Sequence, residues 1–413
     1  MAILADTDSR WKWGAQLARR LSSGPVITGL QSASAPLPSR RQLTDAGLEP
    51  DRIRTVSPSE LVAALGAETP DVLILALPGG GCQAVLHLIA AAELPSRPLL
   101  VSGYVGVVYE KMVEGLLMRA GCDVVAANCP ADYERFRRVY SDVGVDPDCL
   151  VLTRLSFLGE AAPRPAGRHT VTFAAQPGVP GSRRHRRYVV ERLAGHARRN
   201  PEHDVLLKLR SLPGERATHA ELYPYQDLFR ELGPTRPANF RLAAGDMGEV
   251  LSRTDLLVTV SSTAAVEAIH RGIPTAILTD FGIRESLGNA HFLGSGCLAA
   301  FDDLDAGAHP VADGRWARRQ GLVVGVDRLP GHVAERLRGR PLPPVRPFYT
   351  ERNAPVLLPG LLARYGVGTD GRPLESQDGS RNLMRSAVRV SARNMYRHGA
   401  NVVAPALRKL SAL

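Results

Sequence analysis

Short apolar runs rich in Val, Ile and Leu alternate along the chain with longer stretches whose apolar positions recur at helical spacing. In the first half the runs are Ala2–Ala5, Val26–Thr28, Val72–Leu77, Leu99–Ser102, Val124–Ala127 and Leu150–Thr153. The amphipathic stretches between them include Ala15–Leu21, Gln83–Ala92, Lys111–Ala120 and Asp132–Val143. Runs that are apolar throughout, separated by helices, predict a parallel sheet covered on both faces. Gly159–Arg168, with two prolines and two glycines, breaks the rhythm and reads as a linker.

The alternation then restarts. Strands are predicted at Thr170–Ala174, Val205–Lys208, Phe240–Leu242, Leu256–Val260 and Thr275–Leu278, and helices at Tyr188–Arg199, Glu221–Leu232 and Ala264–Arg271. A length of 413 residues suits about two domains of roughly 150 to 200 residues each. The economical reading is α/β, with two doubly wound Rossmann-type domains in tandem facing a cleft. The expected division is 1–160, 168–340, a crossover segment over 341–378 whose helix-like Val356–Tyr365 returns to the first domain, and a basic tail over 379–413.

Composition narrows the class. With 44% hydrophobic and 22% charged residues the chain is neither wholly disordered nor fibrous. No apolar run approaches the roughly 20 residues that cross a bilayer, and MAILADTDSRWKW reaches acids too early for a signal peptide. Five scattered cysteines without a C-x-x-C pair read as buried thiols in a reducing cytoplasm. The net charge of +10 is concentrated at one end. Residues 380–413 carry six arginines and a lysine with no acid, leaving a nearly balanced body and no case for a specific nucleic-acid partner. Arg381, Arg385, Arg389, Arg393 and Arg397 follow one another at i, i+4, a basic amphipathic pattern that suits anionic lipid headgroups. A helix packed on the body and an arm binding RNA nonspecifically are the alternatives.

In doubly wound sheets ligands bind outside the carboxyl ends of the strands, so residues just after strands carry the candidate chemistry. In the second half a buried strand ends in Ser261-Ser262-Thr263 and a short helix follows, a seat for phosphate. Glu267 on the first turn of that helix is placed to bind a ribose, although a plain helix cap and an exposed helix former explain the same residues. Lys208 and Arg210 end another strand two residues apart and so face the same way toward a phosphate. The chain has only four lysines, and one kept at a strand end suggests a need for a compact charge. Arg183 opens a helix in a Gly- and Arg-rich loop suited to a donor phosphate, and Asn289 and His291 follow the strand after the Ser-Ser-Thr helix, within reach of base or sugar.

In the first half, Asp6 and Asp8 follow the first strand and suit a general base, with Trp11 and Lys12 beside them for sugar stacking and charge. The D-x-D string is also compatible with an aspartyl-nucleophile phosphatase, which needs a later Asp pair after a strand for magnesium, and Asp302-Asp303 follows no convincing strand. Tyr104 and Lys111 flank a glycine-containing turn expected to line the cleft.

From Thr170 to Phe292 the sequence resembles GT-B glycosyltransferases of bacterial surface-polysaccharide assembly. The shared points are Lys208-Leu-Arg210, Gly248-Glu-Val-Leu251 and the stretch from Asp255 to Pro274. Within that group it looks most like actinobacterial glycosyltransferases of unassigned substrate. More distantly it is similar to polysialyltransferase and Kdo-transferase types and to CDP-glycerol glycerophosphotransferases. The resemblance implies a GT-B fold in which Ser261, Ser262, Thr263 and Lys208 hold the phosphate of a nucleotide-sugar donor, with a CMP-linked acidic sugar as one donor class. Arg210 stands where those relatives carry His, and Ser211 where they carry Pro.

The function expected is sugar transfer from a nucleotide donor to a cell-surface glycan or lipid-linked acceptor, inverting, with no metal or other cofactor required. The enzyme is expected in the cytoplasm, peripheral to the inner face of the plasma membrane. A polyol-phosphate transferase, a hydrolase using Asp6 and Asp8, and a non-catalytic membrane-surface adaptor are the rival readings.

Overall fold

The structure is a computed structural model describing residues 1–21, 28–33, 37–107, 112–155, 158, 167–176, 178–209, 222–323 and 327–374. Two parallel sheets organise it. The first contains β1 (Ala2–Ala5), β2 (Thr28–Ser32), β3 (Ile53–Val56), β4 (Val72–Ala76), β5 (Leu99–Gly103), β6 (Val124–Ala127) and β7 (Leu150–Leu152). Their order is β3-β2-β1-β4-β5-β6-β7. The second contains β8 (Thr170–Ala174), β9 (Asp204–Lys208), β10 (Phe240–Ala243), β11 (Leu256–Thr259), β12 (Thr275–Leu278) and β13 (Leu298–Ala299), in the order β10-β9-β8-β11-β12-β13.

Helices fill the connections. In the first half they are α1 (Asp8–Leu21), α2 (Arg40–Asp45), α3 (Pro58–Ala67), α4 (Gly79–Ala91), α5 (Met112–Leu117) and α6 (Pro130–Asp142). The second half adds α7 (Arg183–Arg199), α8 (Tyr225–Arg230), α9 (Met247–Leu251), α10 (Ala264–His270), α11 (Phe301–Asp305) and α12 (Gly314–Arg319), followed by α13 (Leu329–Arg338) and α14 (Leu357–Ala363). Local chemistry sets several boundaries. Ser57 and Glu60 close a capping box around Pro58 at the start of α3, and Ser182 caps α7 through the His185 amide.

Every residue of β4 is buried, with alternate side chains entering different cores. Leu73 and Leu75 pack with the α4 side, and Val72, Ile74 and Ala76 with the α1 side. Sheets covered on both faces explain why these strands are uniformly apolar. The edge strand β3 went unpredicted for the same reason in reverse: Arg54 and Thr55 are exposed, so no continuous apolar run marks it. The helix predicted over Glu221–Leu232 is observed at Tyr225–Arg230.

The chain returns to the first lobe earlier than expected. Leu329 and Val333 of α13 are buried with α1 and β7 residues, twelve positions before the predicted return at 341. The i, i+4 stripe of α13 is equally suited to either lobe, so its destination is invisible in the local pattern. The helix after Val356 packs there as well: α14 lies on α4 with Leu358, Leu361 and Leu362 buried in the first core.

The two lobes meet along the carboxyl edges of their sheets. Arg319 of α12 pairs with Glu134 of α6 at 3.1 Å, and Gly321 approaches the Asn128 carbonyl and Cys129 beyond β6. The five cysteines are free thiols, four of them buried.

Candidate functional site

Strand order reverses between β1 and β4 in one sheet and between β8 and β11 in the other, and doubly wound sheets open their binding crevices at such points. Asp6 follows β1, and Pro78 caps the start of α4 just after β4. Gln176 follows β8 and Ser261 follows β11. The candidate chemistry therefore collects on facing edges.

Lys208 ends β9, paired in register with Ala174 of β8 and Ala243 of β10. Thr259 of β11 donates its hydroxyl to the Ala174 carbonyl at 3.0 Å, so Lys208 and the Ser-Ser-Thr turn share one level of the sheet edge. With strands about 4.8 Å apart, two strand spacings separate them by about 10 Å. Lys208 is only 4% exposed, and its ammonium donates to the Leu209 carbonyl at 2.5 Å. Burial holds its pKa below the usual lysine range, and the Asp246 carboxylate opposes that shift. Buried, perturbed lysines cluster at functional sites.

The three hydroxyls after β11 have different fates. The Ser261 hydroxyl donates to the Leu287 carbonyl at 2.5 Å and accepts from Gln176 Nε2 at 3.1 Å, while its amide donates to Gln176 Oε1 at 2.9 Å. That side chain fastens the turn. Gly288 has φ +76, and a β-carbon there would stand 3.0 Å from the Ser261 hydroxyl, so both conformation and space call for glycine. Ser262 donates its amide to the Thr259 hydroxyl and accepts the Ala264 amide, both at 3.2 Å. Thr263 is exposed and makes no side-chain cap. Ser262 and Thr263 are thus the hydroxyls closest to solvent.

Glu267 carries a partner that its sequence reading did not include. Arg271, one turn on, bonds its carboxylate at 2.5 Å and donates to the Gly248 carbonyl at 2.9 Å. The two side chains are 13% and 10% exposed. Burial raises the Glu267 pKa even against the Arg271 charge.

On the first lobe, Asp6 is buried and accepts from Arg10 at 2.8 Å; burial raises its pKa while Arg10 opposes the rise. Asp8 begins α1 and is partly exposed. Tyr365, brought back beyond α14, packs over Gly80 at the start of α4 and feels the Asp6 charge. Lys12 points across the cleft, its ammonium 4.0 Å from Asp246 of the second lobe. Trp11 is a correction: it is fully buried and donates its indole N–H to Gln31 Oε1 at 2.7 Å, so it is core and offers no stacking face. Its position on α1, one residue from Lys12, turns it inward.

Four other candidates already have partners within the structure. Tyr104 donates its hydroxyl to the Met112 carbonyl at 3.0 Å beneath α5, with the Arg119 guanidinium over its ring. Arg183 is drawn to Glu231 beside α8, at 2.7 and 2.9 Å. Asn289 is buried, accepting the Arg284 amide and donating to the Leu278 and Gly282 carbonyls, a loop brace with no group left for a base. His291 packs edge-on to Phe292 and Trp316; burial pushes its pKa down to about 4, with Arg135 of the first lobe adding to the effect. Lys111, Arg210 and the 379–413 tail lie outside the described residues.

Sequence reasoning missed Asp246, Gln176, Arg271 and Tyr365. Asp246 had a usable signal, an acid two residues before the Gly248–Leu251 stretch, since an Asp there caps a helix. Gln176 had only its place just after a strand, and Tyr365 depends on a contact across 285 positions.

A family profile described as "Putative glycosyltransferase (DUF6716)" matches residues 1–336. Among solved structures the chain is similar to UDP-GlcNAc 2-epimerase from Neisseria meningitidis bound to UDP-GlcNAc, at 12% identity over 82% of this chain and 100% of that one, with a TM-score of 0.51. It is also similar to MnaA of S. aureus, solved with UDP, at 12% identity over 82% and 94%, with a TM-score of 0.51. The spinosyn rhamnosyltransferase SpnG matches at 14% identity over 84% and 97%, with a TM-score of 0.43. At these identities the first two likenesses are likenesses of fold, two Rossmann-like lobes in tandem. No curated protein matches the chain by sequence.

Proposed function

The chain belongs to the family described as "Putative glycosyltransferase (DUF6716)", and on that premise we propose that it moves a sugar from a nucleotide donor on the second lobe to a cell-surface glycan or lipid-linked acceptor on the first. The observation that carries the reading is the shared level of Lys208 and the Ser-Ser-Thr turn at one sheet edge, in a lobe that Lys12 of α1 meets at Asp246.

In this scheme Lys208, Ser262 and Thr263 stabilise the departing phosphate, while Ser261 and Gln176 hold the turn that presents them. Preorganised donors and a cation supply the charge stabilisation that leaving-group departure needs. A carboxylate, Asp8 or Asp6, takes the acceptor proton. Asp8 has the better access, and Asp6, bonded to Arg10, has the raised pKa. Attack opposite the leaving group inverts the anomeric centre. A CMP-linked acidic sugar is the donor class the serine motif supports, and the arginine-rich 380–413 tail supports docking at the inner face of the plasma membrane. The hydrolase alternative has no matching geometry: Asp302 pairs with Arg192 and Asp303 caps α11, both on the lobe opposite Asp6.

Thermal shift against CMP, CDP, UDP and GDP tests the reading. One nucleotide should raise the melting temperature, and Lys208→Met should abolish that rise. No shift with any of the four, or an undiminished shift in Lys208→Met, overturns it.

A further inference from the structure

Residues 183–187 bring four arginines to the start of α7, and only one of them turns inward. Arg186 is 1% exposed, while Arg183 and Arg187 stay outside and pair with Glu231. The Arg186 guanidinium donates to three carbonyls, those of Pro180 at 2.8 Å, Gln176 at 3.0 Å and Tyr223 at 2.8 Å. Its central carbon sits 4.8 Å from the centroid of the Tyr225 ring. Gln176 and Pro180 belong to the loop after β8, and Tyr223 stands just before α8, so one side chain ties two connections together. A guanidinium carries five donors in a rigid fork and reaches carbonyls that a lysine ammonium cannot span.

The bonding continues from Gln176. Its side chain holds the Ser261 amide at 2.9 Å and the Ser261 hydroxyl at 3.1 Å, and that hydroxyl donates onward to the Leu287 carbonyl beyond β12 at 2.5 Å. The connections after β8, β11 and β12 are therefore one bonded unit, with Arg186 at its buried end. We propose that Arg186 is a positioning residue of the donor site: by fixing the backbone of Gln176 it sets the level at which Gln176 clasps Ser261, and so aims the Ser262 and Thr263 hydroxyls at the phosphate of a nucleotide-linked sugar. The last step rests on the transferase reading; the bonded path from Arg186 to Ser261 does not. A turn held in place before the ligand arrives spares binding the cost of ordering it.

The Ser261 amide reports on the path directly, because its acceptor is Gln176 Oε1. In full-length protein carrying isotope-labelled serine, Ser261→Ala identifies that amide signal by its loss. Arg186→Lys keeps the buried charge and loses the fork. Hydrogen exchange at the Ser261 amide should then quicken by about tenfold, the worth of one hydrogen bond. The Ser295 amide, bonded to the Phe292 carbonyl in the same lobe, should keep its rate. Gln176→Leu should quicken Ser261 as well, and the double variant should add nothing. For the nucleotide that raises the melting temperature, Kd should rise about tenfold in each single variant and no further in the double. An arginine that only supports the core would quicken Ser295 together with Ser261, or leave Ser261 as it was. Either result overturns the proposal, as does failure of both Arg186→Lys and Arg186→Gln to fold. A quickened Ser261 amide in a protein that binds none of CMP, CDP, UDP and GDP leaves the bonded path standing and sinks the transferase reading, and the donor-site role with it.

Discussion

Replacing Arg271 by Met tests whether Glu267 belongs to the architecture of the donor lobe. The substitution removes a bond to the Glu267 carboxylate at 2.5 Å and another to the Gly248 carbonyl at 2.9 Å, and keeps most of the apolar stem. Both side chains of the pair are less than one-seventh exposed. Stranding a buried carboxylate in this way costs about 3 to 5 kcal/mol in a dry core, and partial exposure lowers that to about 2 to 4 kcal/mol here. For a lobe of this size the melting temperature should fall by roughly 4 to 16 °C. The pH dependence has a definite sign. Glu267 has a native pKa above its unfolded one, so between the two the native state binds more protons and stability declines as pH rises. Without Arg271 the native pKa climbs further, so the deficit of Arg271→Met should be largest at neutral pH and shrink on acidification toward the ordinary carboxylate range. The assay is differential scanning calorimetry across pH on the single variant and on Arg271→Met with Glu267→Leu. Removing both charges should recover much of the loss. A single variant that melts with the parent, or a double variant no better than the single, refutes the reasoning.

Three other outcomes follow from the same geometry. Trp11→Phe should cost about 2 to 4 kcal/mol through the lost indole bond and the space left in the core, with the acceptor KM unchanged; a raised KM would return Trp11 to the cleft. Asp6→Asn and Asp8→Asn should separate the base from its neighbour, since one should lower kcat by roughly 10²- to 10⁴-fold while nucleotide-induced thermal shifts persist in both. His291, held near 4 against an unfolded value near 6.5, should make stability decline as pH falls through the ordinary histidine range, and a melting series with His291→Gln should flatten that decline.

Much of the architecture is legible without coordinates, for a physical reason. A parallel strand covered on both faces must be apolar at every position, so β4 and β11 announce themselves in a dozen letters. The reversal in each chemical stretch from apolar run to Ser, Lys or Asp likewise marks a strand end, where binding residues have to stand. By itself the sequence determined two α/β lobes, which residues lie at their carboxyl edges, and a charged tail beyond them. What it could not determine is where each polar side chain spends its hydrogen bonds. Whether Trp11 faces solvent or core turns on 100° per residue along α1, and whether Glu267 is available turns on Arg271 reaching Gly248. Asp246 meets Lys12 across 234 positions, and Tyr365 reaches Gly80 across 285. Such contacts exist only once distant parts of the chain have folded together, because a local pattern encodes burial and periodicity but not the partner that burial brings.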